Sequence, residues 1–207
     1  MTGKSHLVTN VSCAVVMTNL LIYNSWSYQG WQSDTIHNVS CSVLNAVVGN
    51  YSTMNRMVWI VVSTILFLIG SLLPDIDSPK SIISRLLHFH IPVEHRTWTH
   101  TIYIVIGLGI TSLFFYPLMF MTLGFFLHLF WDSLSAEGCC FFYPFEKYRY
   151  YGKAKIKEKH ILKLYHTDKA SEYVLVGVIV TLTVIMCVLF AKNGIYGTSL
   201  RCIYGSK

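Results

Sequence analysis

The sequence predicts an all-α integral membrane protein, a helical bundle of about five spans with a cytoplasmic N-terminus. Apolar residues make up 53% of the 207 residues and charged residues only 13%, about half the share found in soluble domains. The mean hydropathy is +0.49. Four long stretches carry no charged residue: 7–23, 57–73, 101–127 and 173–191. This composition excludes a disordered chain, a coiled coil and an ordinary water-soluble domain.

Three of these stretches have the length of one span each. About 20 apolar residues cross the ~30 Å hydrocarbon layer, which suits residues 57–73 and 173–191. Residues 7–23 include several Thr, Asn and Ser side chains, so one face of that span should contact protein or a polar cavity. We do not expect a cleaved signal peptide, because a strong basic region and a small-residue cleavage site are both missing.

The segment that contains the remaining uncharged stretch, residues 100–135, is too long for a single span. Residues 100–135 would extend about 50 Å as one helix. Pro117 lies near the middle and disfavours helix at Tyr116. We therefore predict two antiparallel spans, residues 100–115 and 118–135, joined by a tight turn at Tyr116-Pro117. Without this turn, a helix would hold His100 and His128 about 42 Å apart.

The basic residues predict the orientation of these five spans. Twelve of the 16 Lys and Arg residues fall on the face that receives the N-terminus. By the positive-inside rule this face is cytoplasmic and the C-terminus lies outside. The twelve are Lys4, Lys80, Arg85, Arg96, Lys147, Arg149, Lys153, Lys155, Lys157, Lys159, Lys163 and Lys169.

We predict a single membrane-embedded domain over residues 1–207. It comprises a core at residues 1–145, a basic interfacial segment at 146–172, and the last span with an outer tail at 173–207. Within the basic segment, residues 155–169 are expected to form a helix on an anionic leaflet, with Ile161, Leu164 and Tyr165 on its apolar side. Cys41 and Cys202 both fall on the predicted outer face and could pair.

Polar residues that can carry chemistry cluster at the cytoplasmic ends of the spans. His128 and Asp132 are four residues apart, so a helix places both on one face. Ionisable groups within a bilayer are costly and usually face an interior site. Asp75 and Asp77 alternate with Ile76, and an extended backbone would point both carboxylates the same way.

The segment that starts the third span predicts an anion site. We place His95 in the preceding loop and His100 in the first helical turn, with Thr97 or Thr99 as the N-cap. The amides of this helix N-terminus, together with Arg96, would suit a phosphate.

Together these clusters predict a metal centre. Imidazole and carboxylate are ligands of zinc, iron and manganese rather than calcium. Zinc or manganese suits this donor set best, as one ion or two, and a polar cluster without metal is the alternative. Such an ion makes hydroxide available at neutral pH. The candidate ligands are His6, Asp75, Asp77, His95, His100, His128 and Asp132.

Four sequence strings carry a family resemblance: MTGKSH at 1–6, LPDIDSPKS at 73–81, HRTWTHT at 95–101 and HLFWDSL at 128–134, with Gly138 and Pro144 following. In order and spacing they resemble the YdjM-type membrane-bound proteins, which are classed as metal-dependent hydrolases. The likeness covers about two thirds of the chain, residues 1–145. Thr97 and Thr101 stand where that family commonly has Gly and Ser. The resemblance implies a membrane-embedded helical fold and hydrolysis of a substrate that the family does not define.

A more distant likeness concerns the order of the candidate ligands. An early histidine, an aspartate, a histidine and then His-x-x-x-Asp on a helix is similar to zinc-dependent phospholipase C and related single-strand nucleases. Carried over, this likeness makes Asp77 a further ligand or the general base that orients water. The ligands would be His6, Asp75, either His95 or His100, His128 and Asp132.

The expected function is hydrolysis of a phosphoester at the cytoplasmic leaflet of the cell membrane, with Asp77 and Arg96 as catalytic residues. A lipid phosphate or another membrane-tethered anion fits best. Nucleic acid ranks second, because no aromatic stacking platform is present, and an amide or ester substrate stays open. No Gly-x-Ser-x-Gly motif supports serine hydrolysis. The alternatives are a non-catalytic, metal-stabilised membrane regulator and, more weakly, a transporter; the oligomeric state is open.

Overall fold

The computed structural model describes residues 1–26, 53–93, 95–136, 138–145, 149–151, 154–156 and 164–192. The described part is helical apart from one short hairpin, which confirms the predicted fold class at this coarse level. The helices are α1 (Gly3–Trp26), α2 (Thr53–Leu72), α3 (Ile82–Leu87), α4 (Ile102–Phe114), α5 (Leu118–Ser133) and α6 (Ala170–Lys192), with 3-10 helices at Leu73–Asp77 and Trp98–His100. The hairpin pairs β1 (Arg149–Tyr151) antiparallel with β2 (Ala154–Ile156), and Tyr150 lies opposite Lys155.

The chain forms two compact units. The first comprises Met1–Asn10 and Val62–Gly177, and the second comprises Val11–Val61 and Val178–Lys207. The first unit contains every residue of the predicted metal centre. In the second unit, the Asn19 amide of α1 donates to Cys187 Sγ of α6 at 3.7 Å.

Helix α1 has the polar face that its composition predicts. Six of its polar side chains are buried, and Asn10 donates to the Gly124 carbonyl of α5 at 3.4 Å. The expectation that one side of α1 contacts protein is therefore confirmed. The buried polar residues are Ser5, His6, Thr9, Asn10, Ser12 and Asn19.

Long apolar helices with exposed apolar side chains indicate a membrane environment. Among the described residues, Ala170–Lys192 is the helix long and apolar enough to cross a membrane, with 23 residues and a hydropathy of 2.9. Helices α4 and α5 are apolar but shorter, with 13 and 16 residues. Along α4, large side chains such as Ile106, Ile110 and Leu113 are exposed. A contiguous apolar surface of this kind marks contact with a membrane or a partner.

The predicted break between α4 and α5 is confirmed. Helix α4 ends at Phe114 and α5 begins at Leu118, because Pro117 disfavours helix at the residue before it. Helices α4 and α5 pack against each other. The turn brings the residues just before α4 near the last turns of α5.

Helices α2 and α5 touch backbone to backbone at two glycines. A Cβ added at Gly70 would lie 2.1 Å from the Met121 carbonyl oxygen, and one at Gly124 would lie 2.3 Å from the Phe67 oxygen. Small residues permit such an approach, as is common between helices in membranes. Pro74 ends α2 because it cannot donate the next helical hydrogen bond, which leaves late α2 carbonyls available to other donors.

The interfacial helix expected at 155–169 is wrong at both described ends. Ala154–Ile156 forms strand β2, and residues 164–169 are not helical. The Leu164 amide donates to the Leu134 carbonyl at 3.0 Å, and Ala136 donates back to Tyr165 at 2.8 Å. Tyr165 is buried, and its hydroxyl donates to the Trp131 carbonyl, so tertiary pairing takes the place of helix at residues 164 and 165. Ile161, Cys41 and Cys202 lie outside the described residues.

Candidate metal centre

All seven predicted ligands come together within the first compact unit. His6 lies in α1, His128 and Asp132 lie on α5, and the other four lie in the two segments around the 3-10 helices. Six of the seven are buried, whereas the His95 side chain is 44% exposed. The fold thus brings together side chains that are up to 126 residues apart in sequence.

Four ligand atoms form the centre of this cluster. Asp132 Oδ2 lies 3.3 Å from His100 Nε2 and 3.6 Å from His128 Nε2. Asp75 Oδ1 lies 3.5 Å from His128 Nε2 and 3.9 Å from His100 Nε2. Within the described part of the chain, His100 Nε2, His128 Nε2 and Asp132 Oδ2 are buried without a hydrogen-bond partner. Buried polar atoms nearly always have a hydrogen-bond partner. Three potential metal-ligand atoms that lack one and face one another therefore fit a cation between them.

Hydrogen bonds behind the histidines point their Nε2 atoms into the centre. His128 Nδ1 lies 2.8 Å from the Ser71 carbonyl; a carbonyl can only accept, so Nδ1 carries a proton and Nε2 is the ring nitrogen left to face the centre. Such outer partners orient metal-binding histidines and fix their tautomer. The close approach of α2 and α5 puts the Ser71 carbonyl within reach of His128.

His100 is oriented by a second chain of hydrogen bonds. Its Nδ1 lies 2.9 Å from the Thr99 hydroxyl, which donates to Asp77 Oδ2. Because Thr99 has one hydroxyl proton and gives it to Asp77, His100 Nδ1 must donate to Thr99. This chain leaves Nε2 as the His100 nitrogen that faces Asp132.

Asp77 therefore stands behind His100 rather than among the four central atoms. It accepts from His95 Nδ1 at 2.6 Å and from the Arg96 amide at 3.2 Å. Burial alone would raise the pKa of the Asp77 carboxyl, but the hydrogen bond from His95 and the charge of His100 hold that pKa below its ordinary value. The extended backbone predicted for Asp75 and Asp77 is wrong, since both lie in the 3-10 helix that Pro74 starts.

Asp75 approaches the Nε2 side of His100, opposite to Asp77. Burial alone would raise the pKa of the Asp75 carboxyl, yet His128, His6 and His100 hold it well below its ordinary value. A carboxylate that is ionised and surrounded by imidazoles is a suitable ligand for a divalent cation.

The two oxygens of Asp132 have different surroundings. Oδ1 lies 3.0 Å from Arg96 Nη2, 3.0 Å from the Met1 nitrogen and 3.2 Å from His6 Nε2, whereas Oδ2 has no hydrogen-bond partner among the described residues. The His6 ring also stacks on His128, with centroids 3.7 Å apart. A guanidinium already lies against Oδ1, so Oδ2 is the Asp132 oxygen available to an ion.

Arg96 is held inside the protein by its own contacts. Its Nη1 donates to the Ser135 hydroxyl and the Gly138 carbonyl, both at 3.2 Å, and its backbone has φ 64°. A positive φ is uncommon outside glycine and often marks a functional site. Here it lets the Arg96 amide reach Asp77 while the side chain reaches Asp132. Its predicted role in phosphate binding stays a prediction.

The predicted threonine cap is wrong. Thr97 is the N-cap residue of Trp98–His100 but makes no side-chain cap hydrogen bond, and the Thr99 hydroxyl donates to Asp77. His100 lies in this 3-10 turn, before α4 begins at Ile102.

Sequence reasoning missed the residues that support the cluster. Glu172 is buried and accepts from the Thr2 amide at 2.7 Å and from the Asp168 amide at 2.8 Å, which fixes the start of α1 and therefore His6. An acidic residue at the start of an apolar helix is an ordinary helix-end feature, so it gave no signal. Ser71 contributes only its backbone, which side-chain patterns cannot reveal.

The helical fold and the exposed apolar surfaces define a membrane protein, and the buried histidine–aspartate cluster gives it a candidate metal centre. The YdjM inner membrane protein family matches residues 1–194, and the chain belongs to that family. No curated protein and no solved structure matches the chain. The distant likeness to zinc-dependent phospholipase C therefore stays a prediction.

Proposed function

We propose that the protein is a membrane-embedded metal-dependent hydrolase with one ion held by Asp75, His100, His128 and Asp132. The observation that carries this proposal is the convergence, beside the Asp75 carboxylate, of three buried ligand atoms that have no hydrogen-bond partner among the described residues. Zinc or manganese fits a donor set of two imidazoles and two carboxylates. His6, Asp77 and His95, the other predicted ligands, take supporting positions.

A bound ion would supply Lewis-acid activation of water and would offset charge on a phosphoryl oxygen. The chain's own residues prepare the site for it. Ser71 and Thr99 keep the Nδ1 protons in place, and Arg96 and His6 hold Asp132 so that Oδ2 faces inward.

His95 is placed to transfer a proton. Its Nδ1 lies against the buried Asp77 carboxylate at 2.6 Å, and its side chain is 44% exposed. A carboxylate on one imidazole nitrogen orients the ring and fixes its tautomer. We assign the His95–Asp77 pair to acid–base catalysis, with Nε2 exchanging the proton with substrate or water.

The substrate we propose is a phosphoester in the membrane, a lipid phosphate or another tethered anion. Five spans with the site at the cytoplasmic face would place the centre among phosphate headgroups. The twelve basic residues predicted for that face support this location.

Elemental mass spectrometry of the detergent-purified protein tests the metal site. We expect near-stoichiometric zinc or manganese in the parent, and its loss in Asp75→Asn and His128→Gln. The matched controls are Asp168→Asn and His90→Gln, both exposed and outside the cluster, which should keep their metal. Parent protein without metal after incubation with each ion would contradict the site.

A non-catalytic, metal-stabilised membrane protein is the second candidate. Burial of the four central residues favours it, because structural sites are closed to water while catalytic ones keep an open position. Hydrolysis assays on vesicles with lipid phosphates separate the two. Release of phosphate or headgroup by the metal-loaded parent, lost in His128→Gln, supports the enzyme. Metal-dependent thermal stability without turnover supports the alternative.

A further inference from the structure

The segment of the chain between Asp77 and His95 forms an exposed surface outside the metal centre. In this segment the Leu86, Leu87 and Phe89 side chains are 74%, 54% and 58% exposed. Three large apolar side chains within four residues form a patch rather than scattered exposure. The metal centre uses none of them. We call Lys80, Arg85, Leu86, Leu87 and Phe89 the foot.

Hydrogen bonds hold the foot in this exposed position. Ser81 caps α3 by accepting from the Ser84 amide at 3.1 Å, and the Phe89 amide donates to the Ser84 carbonyl at 3.2 Å. Both sides of the foot are tied to one carbonyl, that of Ile76, which accepts from the Ser84 hydroxyl at 3.2 Å and the Ile91 amide at 3.0 Å. Since Ile76 separates Asp75 from Asp77, the foot is fixed to the segment that carries the centre.

The charge of this segment is entirely positive. Lys80 and Arg85 are exposed, and residues 78–93 include no acidic residue. The Arg85 guanidinium donates to the Lys80 carbonyl at 2.8 Å, which holds the side chain beside Lys80. Apolar side chains next to basic ones are typical of segments that lie in an anionic membrane interface.

The position of the foot along the chain also favours contact with the membrane. The foot lies between Leu72, where α2 ends, and Ile102, where α4 begins. If both helices cross the bilayer, the segment between them lies at one membrane surface.

We propose that the foot binds the anionic lipid leaflet beside the metal centre. Leu86, Leu87 and Phe89 insert below the headgroups, and Lys80 and Arg85 bind lipid phosphates. This inference rests on the proposed spanning of α2 and α4, but not on metal binding or catalysis.

Photochemical labelling of the full chain in nanodiscs tests the proposal. The probe is a phospholipid with a diazirine at the headgroup end of its acyl chain, in phosphatidylcholine with or without phosphatidylglycerol, and adducts are mapped by mass spectrometry. We expect adducts on residues 86–89, increased several-fold by phosphatidylglycerol. Lys80→Gln/Arg85→Gln should remove that increase, and Leu86→Ser/Phe89→Ser should reduce labelling in both lipids. Lys192→Gln, a basic residue at the end of α6, is the matched control and should change neither.

A diazirine placed deeper in the acyl chain separates failure of the foot from failure of the spans. Adducts on α4 residues 106–113 without any on 86–89 would overturn the foot and leave the spans standing. Absence of adducts at both places would overturn the foot together with the spanning of α4. Adducts between two copies of the chain at 86–89, in place of lipid adducts, would show a protein interface and also overturn the proposal.

Discussion

Thr99 connects Asp77 to His100, and its hydroxyl is the only part of the side chain that this role needs. Thr99→Val keeps the shape but removes the acceptor for His100 Nδ1–H and the donor to Asp77. Loss of such an outer partner typically weakens metal binding about 10–100-fold, and we expect that loss here. Thr99→Ser keeps the hydroxyl and should restore affinity. Competition against a chromophoric chelator measures both; unchanged affinity in Thr99→Val would rule out the relay.

We expect His95 and His100 to have different functions, although their ring centroids are only 5.2 Å apart. We expect His100→Gln to lose the metal, because its Nε2 belongs to the central four atoms. His95→Gln should keep the metal and lose turnover by about 10²–10⁴-fold, the usual contribution of a general acid or base. Metal analysis and kinetics on one preparation of each variant provide the comparison. Loss of metal from His95→Gln would instead make His95 a ligand.

At the residue scale, the sequence predicted which side chains gather, but not which of them form the centre and which support it. Helical periodicity was enough for His128 and Asp132, which share one face of α5. It could not separate Asp75 from Asp77, because the extended prediction missed the 3-10 helix after Pro74. The Thr99–Asp77 hydrogen bond and the Ser71 carbonyl at His128 arise from tertiary packing, which local patterns do not encode.

At the scale of helices, the α2–α5 contact should control the metal centre. Gly124→Ala puts a Cβ 2.3 Å from the Phe67 oxygen, so the helices must separate and the Ser71–His128 hydrogen bond must lengthen. Overpacking of this kind usually costs about 1–3 kcal/mol of folding free energy. We expect a lower Tm and weaker metal binding. Gly109→Ala in α4, where a Cβ meets nothing within 4 Å, is the control and should leave both unchanged; equal effects of the two substitutions would contradict this account.

Two elements show why sequence prediction succeeds in one place and fails in another. The α4–α5 turn follows from Pro117, whose effect is local and independent of the rest of the fold. The segment at 155–169 has apolar residues among lysines, a pattern compatible with more than one structure. The conformation of residues 164 and 165 within it depends on the buried Trp131 carbonyl that accepts from Tyr165 and on backbone pairing with residues 134–136.

At the scale of the whole molecule, we predict that the centre faces the cytoplasm. Charge bias sets orientation because basic loops are retained in the cytoplasm, and the predicted distribution is twelve basic residues against four. Reporter fusions measure it: alkaline phosphatase should be active after residue 207 and inactive after residue 145, while a fluorescent protein should show the reverse. Alkaline phosphatase active at both positions would mean an even number of spans between them or none, and would exclude the cytoplasmic centre. The expected result would give the centre access to substrates of the inner leaflet.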